Sequence, residues 1–480
     1  MIDSEPRQPD AQRPTQVTGI VPFIAAGAMF MENLDSTVIV TALPAMALDF
    51  GVTTTSASLG ISMYLLAVAV FLPLSAWFAD RFGTRRVLCL AILMFTMASV
   101  LCGLSTSLWG FVSMRILQGA SAALMTPVAR LVVVRNTSKA ALMHAIAIIT
   151  WPALIAPVLG PPLGGFITTY ASWHWIFFIN LPIGILGVWA AMRFVPQQVS
   201  PERRAFDAIG FVLTASALAG MVGGLDLISS ASRQWFWGGS LLVGGLLLGL
   251  LATRHARQHP HPLVSLEALS IPTFLASTLA GGLFSRIAIS ATPFLLPLLF
   301  QMVFGYSAFV SGLMLLAYFV GNIGMKLVTS RIIRRFGFKL ILIVNGVALA
   351  ASVLACALLA PGSPLAMVVV VLLAGGMSRS LQMTALNSLA FADVPASQMS
   401  AANTLAGLVQ QIAITLGVAV GAFFLNVSQL WRGGSAFELQ DFQIAFLAVS
   451  VLGFVAIFAN SRLPAAAGRA VSGHQATKQH

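Results

Sequence analysis

Long apolar runs recur from one end of the chain to the other, and short polar segments separate them. A run of about 20 apolar residues, folded as a helix, is long enough to cross a bilayer core of about 30 Å. The recurrence predicts about fourteen such helices, the first near residues 19–44 and the last near residues 441–461. The pattern therefore indicates an all-α polytopic membrane protein.

The composition excludes a soluble globular protein. Hydrophobic residues make up 58% of the 480 positions and charged residues only 8%, against about 25% charged residues in ordinary soluble domains. The net charge of +12 does not indicate a nucleic-acid-binding protein, because the basic residues are spread over loops and form no dense patch. Most of them fall on one predicted side of the membrane. By the positive-inside rule that side is the cytoplasm, and both termini are expected there.

An internal repeat suggests two related halves. The segment 80–85 (DRFGTR) follows the second predicted span, and the similar segment 334–339 (RRFGFK) follows the tenth. Such repeats are typical of secondary transporters. The predicted organisation comprises a cytoplasmic tail (1–18), an N-terminal six-helix bundle (19–195), two linker helices (207–253), a cytoplasmic loop (254–271), a C-terminal six-helix bundle (272–461) and a second cytoplasmic tail (462–480). We interpret the HPHP sequence in the loop 254–271 as solvated chain rather than as a metal site.

Charged side chains inside predicted spans are the first candidates for function, because burying a charge in hydrocarbon is costly. Glu32 and Asp35 lie on the first span, and Arg115 lies on the fourth at a similar depth. The two acids are three residues apart and share one helix face. Burial disfavours a charged carboxylate and a nearby arginine favours it, so such a site can load and release a proton. We expect Asp35 or Glu32 to carry a coupling proton and Arg115 to tune it; a permanent structural ion pair is the alternative.

Five segments resemble the motifs of a known transporter family. They are 34–44 (LDSTVIVTALP), 76–85 (AWFADRFGTR), 115–119 (RILQG), 156–165 (APVLGPPLGG) and 173–182 (WHWIFFINLP). In this order, and on these predicted helices, they resemble the major facilitator superfamily and, within it, the 14-helix drug:proton antiporter family. The resemblance covers all the predicted spans.

Three positions depart from the family's motifs. Ala76 and Ala156 replace glycines, and these small-for-small changes keep close helix packing feasible. Thr84 replaces a basic residue and removes one charge from the loop motif. Thr84 therefore cannot make the charged contact that a basic residue makes at this position in the family.

The resemblance implies a fold of two six-helix bundles plus two extra helices. It also implies a proton-coupled secondary exporter of small amphiphilic molecules, multidrug compounds among them, that works by alternating access in the inner (cytoplasmic) membrane. The expected partners are a small-molecule substrate, protons and the lipid bilayer, without nucleic acid. We expect a monomer, with or without an accessory efflux partner. No cofactor or metal is expected, since the proton gradient supplies the energy. An enzyme is not expected, because no span carries a His/Asp/Glu cluster and no Walker A sequence is present.

The resemblance also assigns two groups of residues to gating. In the first group, the loop after the second span contacts the helix ends of the second half, although anchoring by positive charge is an alternative. In the second group, a bend in the fifth span seals the halves against leak, although plain helix packing is an alternative. The first group is Asp80, Arg81, Gly83 and Arg85, and the second is Gly160, Pro161, Gly164 and Gly165.

Two arginines in the second half suggest a different substrate. Arg286 and Arg379 lie near the middle of the ninth and twelfth spans, and no carboxylate lies inside the later spans to neutralise them. A slightly positive site suits a carboxylate or phosphate group. The alternative function is therefore export of a specific organic anion, a carboxylate or its metal chelate, unless backbone carbonyls or an acid of the first half satisfy both arginines. Further candidates for the substrate-binding wall are Gln118, Tyr64, Gln382 and Asn387.

Overall fold

The structure, a computed structural model, describes most of the chain. The described residues are 19–137, 141–198, 206–229, 235–260, 262–395, 398–434, 436–464 and 467–468. The predicted tail 1–18 and most of the predicted tail 462–480 lie outside these ranges, and so does His261 of the HPHP sequence.

All the regular secondary structure of the described residues is helical. The α-helices are α1 (Val21–Phe50), α2 (Thr54–Phe71), α3 (Leu74–Phe82), α4 (Thr84–Gly103), α5 (Leu108–Asn136), α6 (Leu142–Tyr170), α7 (Trp175–Phe178), α8 (Asn180–Phe194), α9 (Ala208–Ser229), α10 (Trp235–Gln258), α11 (Pro272–Thr278), α12 (Gly281–Met302), α13 (Ala308–Ala357), α14 (Leu365–Ala392), α15 (Met399–Arg432) and α16 (Leu439–Ser461). A short 3₁₀ helix covers Glu267–Ser270.

The helices account for the predicted spans. Within the described ranges, 13 helical stretches are long and apolar enough to cross a membrane. One of them, α13, has 50 residues and is interrupted at Gly337, whose φ of 72° and ψ of 166° are not helical. An unbroken helix of that length would be about 75 Å long, more than twice the bilayer core. Counted as two spans on either side of Gly337, α13 brings the total to the predicted fourteen.

The repeat that is visible in the sequence has a counterpart in the backbone. Gly83, between α3 and α4, has a φ of 88° and a ψ of 146°, close to the conformation of Gly337. Residues with a side chain rarely adopt a positive φ of this kind, whereas glycine does so without steric cost. The two halves therefore turn at equivalent glycines.

Helix contacts connect the two halves at both ends of the molecule. We call the end with the α3–α4 junction the Asp80 end and the end with the α6–α7 junction the Trp173 end. Helices α6 and α13 pack along each other, and α2 packs against α15. The hydrogen bond of Phe309 with Thr169 lies at the Trp173 end. At the Asp80 end Gly407 faces Leu72, because a Cβ atom at Gly407 would lie 3.9 Å from the Leu72 side chain.

Helices α9 and α10 form a hairpin that joins the halves in sequence and in space. They pack on each other, and α9 also packs against α2 and α15. Leu218 and Val222 of α9 cluster with Leu66 of α2 and Ile412 of α15. Helix α10 extends past the predicted end at residue 253 to Gln258. The hairpin is therefore in contact with both halves.

Candidate functional site in the central cavity

A cavity of about 260 Å³ lies between the two halves. Its wall is formed by α1, α2, α5 and α6 of the first half and by α12–α15 of the second. Among the described residues, its charged lining consists of Glu32, Arg115 and Arg379. Of the other candidates from the sequence, Tyr64 and Pro161 also line it. The cavity has the position and the polar lining of a substrate site.

Asp35 lies beside this cavity in a closed cluster of hydrogen bonds. Its carboxylate accepts hydrogen bonds from Arg115 Nη1 at 2.6 Å, Gln118 Nε2 at 2.8 Å and Asn180 Nδ2 at 3.0 Å. Asp35 is only 4% exposed, and Arg115 and Gln118 are fully buried. A buried ion pair of this kind is retained because either partner alone would be an uncompensated charge. Asp35 is therefore the acceptor that holds Arg115 in place.

Arg115 also points part of its guanidinium toward the cavity. Its Cζ lies 4.1 Å from the ring centroid of Tyr64, and its Nε donates to the backbone oxygen of Gly60 at 3.3 Å. Within the described part of the chain, neither Arg115 Nη2 nor the Tyr64 hydroxyl makes a hydrogen bond. Both residues line the cavity, while these two groups are buried within its wall.

Glu32 differs from Asp35 in its surroundings. It is half-buried, lines the cavity and accepts a hydrogen bond from Thr126. No cationic side chain of the described chain lies within ion-pairing distance of it. The structure thus separates the two acids that the sequence placed on one helix face: Asp35 is paired, and Glu32 is the only carboxylate in the described cavity lining.

Arg379 occupies the corresponding place in the second half. The first half has Arg115 and Gln118 on α5, and the second has Arg379 and Gln382 with the same spacing on α14. Arg379 lines the cavity and lies over the rings of Tyr318 and Phe319, at 5.7 and 5.8 Å from their centroids. Unlike Arg115, it has no carboxylate partner within ion-pairing distance among the described residues. The cavity therefore combines one unpaired carboxylate and one unpaired guanidinium.

Gln382 and Arg286 bind within the second half and do not line the cavity. Gln382 is fully buried and accepts a hydrogen bond from Asn345 at 2.9 Å. Arg286 is 3% exposed and donates to the Ser277 backbone oxygen at 2.6 Å and to Asn387 Oδ1 at 2.9 Å. Ser277 belongs to α11 and Arg286 to α12. Arg286 thus bridges the bend between these helices and holds Asn387 beside it.

The loop candidates make their described contacts within the first half. Asp80 Oδ1 accepts a hydrogen bond from Arg135 Nη2 at 2.9 Å, and Arg135 lies in the last turn of α5. Arg81 is exposed and Arg85 is half-buried. Gly83 supplies the positive φ of the turn. In this conformation, the contact of Asp80 with the second half that the resemblance implies is absent from the described ion pairs.

The glycine-rich segment of α6 lies between the two halves. A Cβ atom at Gly160 would lie 2.1 Å from Thr37 Oγ1, and one at Gly164 would lie 2.4 Å from the Val38 backbone oxygen, both on α1. A Cβ at Gly165 would lie 2.2 Å from the backbone oxygen of Ala308 on α13. Pro161 also touches α13, since its backbone oxygen would lie 2.2 Å from a Cβ at Gly312. The segment packs α6 tightly against its own half and against the other half.

Sequence reasoning missed two residues of the site. Asn180 completes the Asp35 cluster, and Thr126 binds Glu32. Asn180 lies in the segment 173–182, which carried part of the family resemblance, and an Asn inside an apolar span was the available signal. Thr126 gave none, since threonine is common in spans and bonds its own helix backbone.

Comparison with known proteins agrees with this architecture. The model of the Major Facilitator Superfamily matches residues 25–418. HsrA of Haemophilus influenzae, named as a transport protein, is 36% identical over 429 residues, which cover 89% of this chain and 92% of that protein. MdtD of Cronobacter sakazakii, whose name refers to multidrug resistance, is 37% identical over 404 residues, which cover 84% and 85%.

A solved structure shows the same fold at low sequence identity. A POT family transporter in complex with a thioalcohol-conjugated peptide aligns with a TM-score of 0.66 at 15% identity, covering 92% of this chain and 94% of that one. Together with the family match along the chain, this establishes both fold and class. The chain belongs to the Major Facilitator Superfamily and is a multi-pass membrane transporter, not an enzyme.

Proposed function

We propose that this protein exports small amphiphilic molecules in exchange for protons, by alternating access of the central cavity to the two sides of the membrane. Glu32 carries the proton. Asp35 and Arg115 form a fixed polar wall beside it. The proposed direction is from the cytoplasm outward across the inner membrane.

The observation that carries this proposal is the environment of Glu32. It is a half-buried carboxylate that lines a cavity shared by both halves. No cationic side chain of the described residues lies within ion-pairing distance of it, and Arg130 of α5 interacts with it from farther away. A carboxylate without an ion-pair partner can take up a proton without leaving a buried cation unpaired, whereas protonation of Asp35 would leave Arg115 without its counter-charge. Proton exchange at Glu32 would alter the charge that a substrate meets in the cavity.

The charge on Glu32 also distinguishes between substrate classes. An ionised Glu32 attracts a cation or accepts a hydrogen bond from a neutral molecule, and protonation releases either one. Proton and substrate then compete, as antiport requires. An anion bound by Arg379 would have the opposite preference, because it binds best while Glu32 is neutral. It would therefore travel with the proton. Cationic and neutral amphiphiles are thus the favoured exchange substrates, consistent with the multidrug resistance named for the MdtD relatives.

Proteoliposomes with an imposed pH gradient and an internal pH dye test the proposal. Lipophilic cations, neutral amphiphiles and organic acids such as citrate are added in turn. We expect cations and neutral amphiphiles to trigger proton movement in the wild-type protein. Glu32→Gln should abolish this movement, because the uncharged amide cannot exchange a proton and does not attract a cation. Glu267→Gln changes an exposed carboxylate far from the cavity lining and should behave as the wild type.

Two results would contradict the proposal. One is full proton-driven transport by the Glu32→Gln protein. The other is a proton signal with the organic acids alone.

Arg379 supports a second candidate, transport of an organic anion. It lines the cavity without a described carboxylate partner, whereas Arg286 is bonded to Ser277 and Asn387 away from the cavity. Arg379→Gln should then abolish an acid-triggered proton signal, while Arg86→Gln, which changes an exposed arginine, should leave it unchanged. Proton signals with amphiphiles that do not depend on Arg379 would rule out this candidate.

A further inference from the structure

Three side chains able to bind a metal ion meet at the base of the α9–α10 hairpin, away from the cavity. Asp207 immediately precedes α9, and His255 and His259 lie at the C-terminal end of α10. One potential ligand atom from each of the three lies within 4.8 Å of the others. His259 is the first residue of the HPHP sequence, which the sequence pattern alone indicated as solvated chain, and the structure places it beside Asp207 and His255. None of the three residues belongs to a motif that carried the family resemblance.

The two histidines have the spacing of a chelating pair. They are four residues apart, which is one helical turn, and their ring centroids are 5.1 Å apart with the rings inclined at 35°. His255 Nε2 lies 2.8 Å from Asp207 Oδ1. Tetrahedral zinc, with bonds of about 2.0–2.2 Å to nitrogen and oxygen, holds neighbouring ligand atoms about 3.3 Å apart. Small side-chain movements would therefore open room for an ion between the three ligands.

Asp207 is already fixed in position for this role. It is 5% exposed, its Oδ1 accepts a hydrogen bond from the Gly210 N–H at the start of α9, and its Oδ2 accepts one from the Leu263 N–H. Together with the contact of His255 Nε2 with Oδ1, these hydrogen bonds hold both carboxylate oxygens of Asp207 in place at the base of the hairpin.

The helix ends favour a cation at this place. The C-terminal end of α10 carries the negative end of its dipole, close to both histidines. The Asp207 carboxylate lies at the positive end of α9, so its own charge is stabilised there. A cation between the two would compensate the charge of Asp207 and interact with the α10 terminus.

We propose that Asp207, His255 and His259 form a binding site for a divalent transition metal ion of the Zn²⁺ type. Two imidazole nitrogens and one carboxylate oxygen are ligands that Zn²⁺ binds readily, and the fourth position would face the solvent. The bound ion would tie the start of α9 to the end of α10 and, through Leu263, to the chain that leads into α11. Since α9 contacts α2 and α15, the ion would stabilise the hairpin that bridges the two halves.

Metal binding by the purified full-length protein tests this site. The protein is isolated with a tag that contains no histidine, and Zn²⁺ is titrated against a chromophoric chelator. Co²⁺ serves as a second probe, because its visible absorption reports tetrahedral coordination. His259→Ala removes one ligand and leaves the Asp207–His255 hydrogen bond intact. His255→Gln keeps a hydrogen-bond donor near Asp207. His144→Ala replaces an exposed histidine that does not belong to the three-residue cluster and is the matched control.

We expect the wild-type and His144→Ala proteins to bind one equivalent of Zn²⁺ and to melt at a higher temperature when it is present. Both ligand variants should bind at least about tenfold more weakly, since even loss of groups that merely orient ligands costs 10–100-fold in affinity. They should also lose the Zn²⁺-dependent rise in melting temperature and the Co²⁺ absorption. Equal Zn²⁺ affinity in the wild type and in both ligand variants would overturn the proposal. So would absence of Zn²⁺ binding by the wild type.

Discussion

At the scale of single residues, two acids on one helix have acquired different environments. Asp35 accepts three hydrogen bonds and is enclosed with Arg115, whereas Glu32 faces the cavity and is bound by Thr126. The difference lies in what the neighbouring helices present to each carboxylate. α5 and α8 supply the partners of Asp35, and α5 alone supplies that of Glu32. One acid is therefore fixed in a buried ion pair, while the other lines the cavity without an ion-pair partner among the described residues.

The distinction predicts different effects on stability. Asp35→Asn leaves Arg115 buried without its counter-charge, a loss of about 3–5 kcal/mol for buried pairs. We expect a clear fall in the melting temperature of the purified protein, with little change for Glu32→Gln. The double substitution Asp35→Asn with Arg115→Gln should recover part of the loss, since no unpaired charge remains. Equal melting temperatures of the Asp35→Asn and wild-type proteins would contradict this role of Asp35.

At the scale of elements, the segment of α6 that begins at Gly160 determines how closely three helices approach. Gly160 and Gly164 allow contact with α1, and Gly165 allows contact of backbone with backbone at the start of α13. Small residues at helix interfaces are a common means of close packing in membranes. Pro161 lacks an N–H group and weakens the helix at the same place. The segment therefore combines a locally weakened part of α6 with a contact surface between the halves.

Overpacking this contact should impair transport. Gly165→Ala places a Cβ atom 2.2 Å from the Ala308 backbone oxygen, and overpacking of this kind costs about 1–3 kcal/mol. We expect lower transport per protein molecule and a larger passive proton leak in liposomes. Gly27→Ala on α1 is the control, because a Cβ there meets nothing within 4 Å. If the two variants transport equally well, the contact at Gly165 has no role in sealing the halves.

At the scale of the whole molecule, the two halves share a plan but differ in charge. Both turn at an equivalent glycine, Gly83 or Gly337, and both place an arginine and a glutamine three residues apart on the corresponding helix, α5 or α14. Only the first half supplies a carboxylate to its arginine among the described residues. The difference leaves Arg379 with its charge exposed to the cavity.

Alternating access predicts that a covalent link between the halves will stop transport. Phe309 N–H of α13 donates to Thr169 Oγ1 of α6 at 3.2 Å, which places both positions within reach of a disulfide. In a protein whose Cys89, Cys102 and Cys356 are replaced by alanine, Thr169→Cys with Phe309→Cys should lose transport on oxidation. A reducing agent should restore it, and each single cysteine variant should be unaffected. Full transport by the oxidised double variant would argue against separation of α6 from α13 during the cycle.

Much of the architecture could be predicted from the sequence because the bilayer imposes a length on each apolar run. The fourteen spans are confirmed by the structure. Of the charged residues predicted inside the spans, Glu32, Arg115 and Arg379 line the cavity, whereas Asp35 and Arg286 do not. Side-chain partners could not be predicted, because they depend on tertiary contacts. Asn180 reaches Asp35 across 145 positions of sequence, and the position of Arg286 depends on the bend at the end of α11, which its apolar sequence does not reveal.

The presence of a single carboxylate in the described cavity lining sets an energetic ceiling on the proposed exchange. One proton per cycle contributes about 1.4 kcal/mol per unit of pH difference and about 2.3 kcal/mol per 100 mV of membrane potential. For a neutral substrate the cycle is electrogenic. One unit of pH difference and 100 mV together then sustain a substrate concentration ratio of about 500-fold across the membrane. For a monovalent cation the charges cancel, so only the pH difference acts, and the ratio falls to about tenfold per pH unit. Dissipating the membrane potential alone should therefore lower the concentration ratio that the protein sustains for neutral substrates. The ratio for monovalent cations should be unchanged.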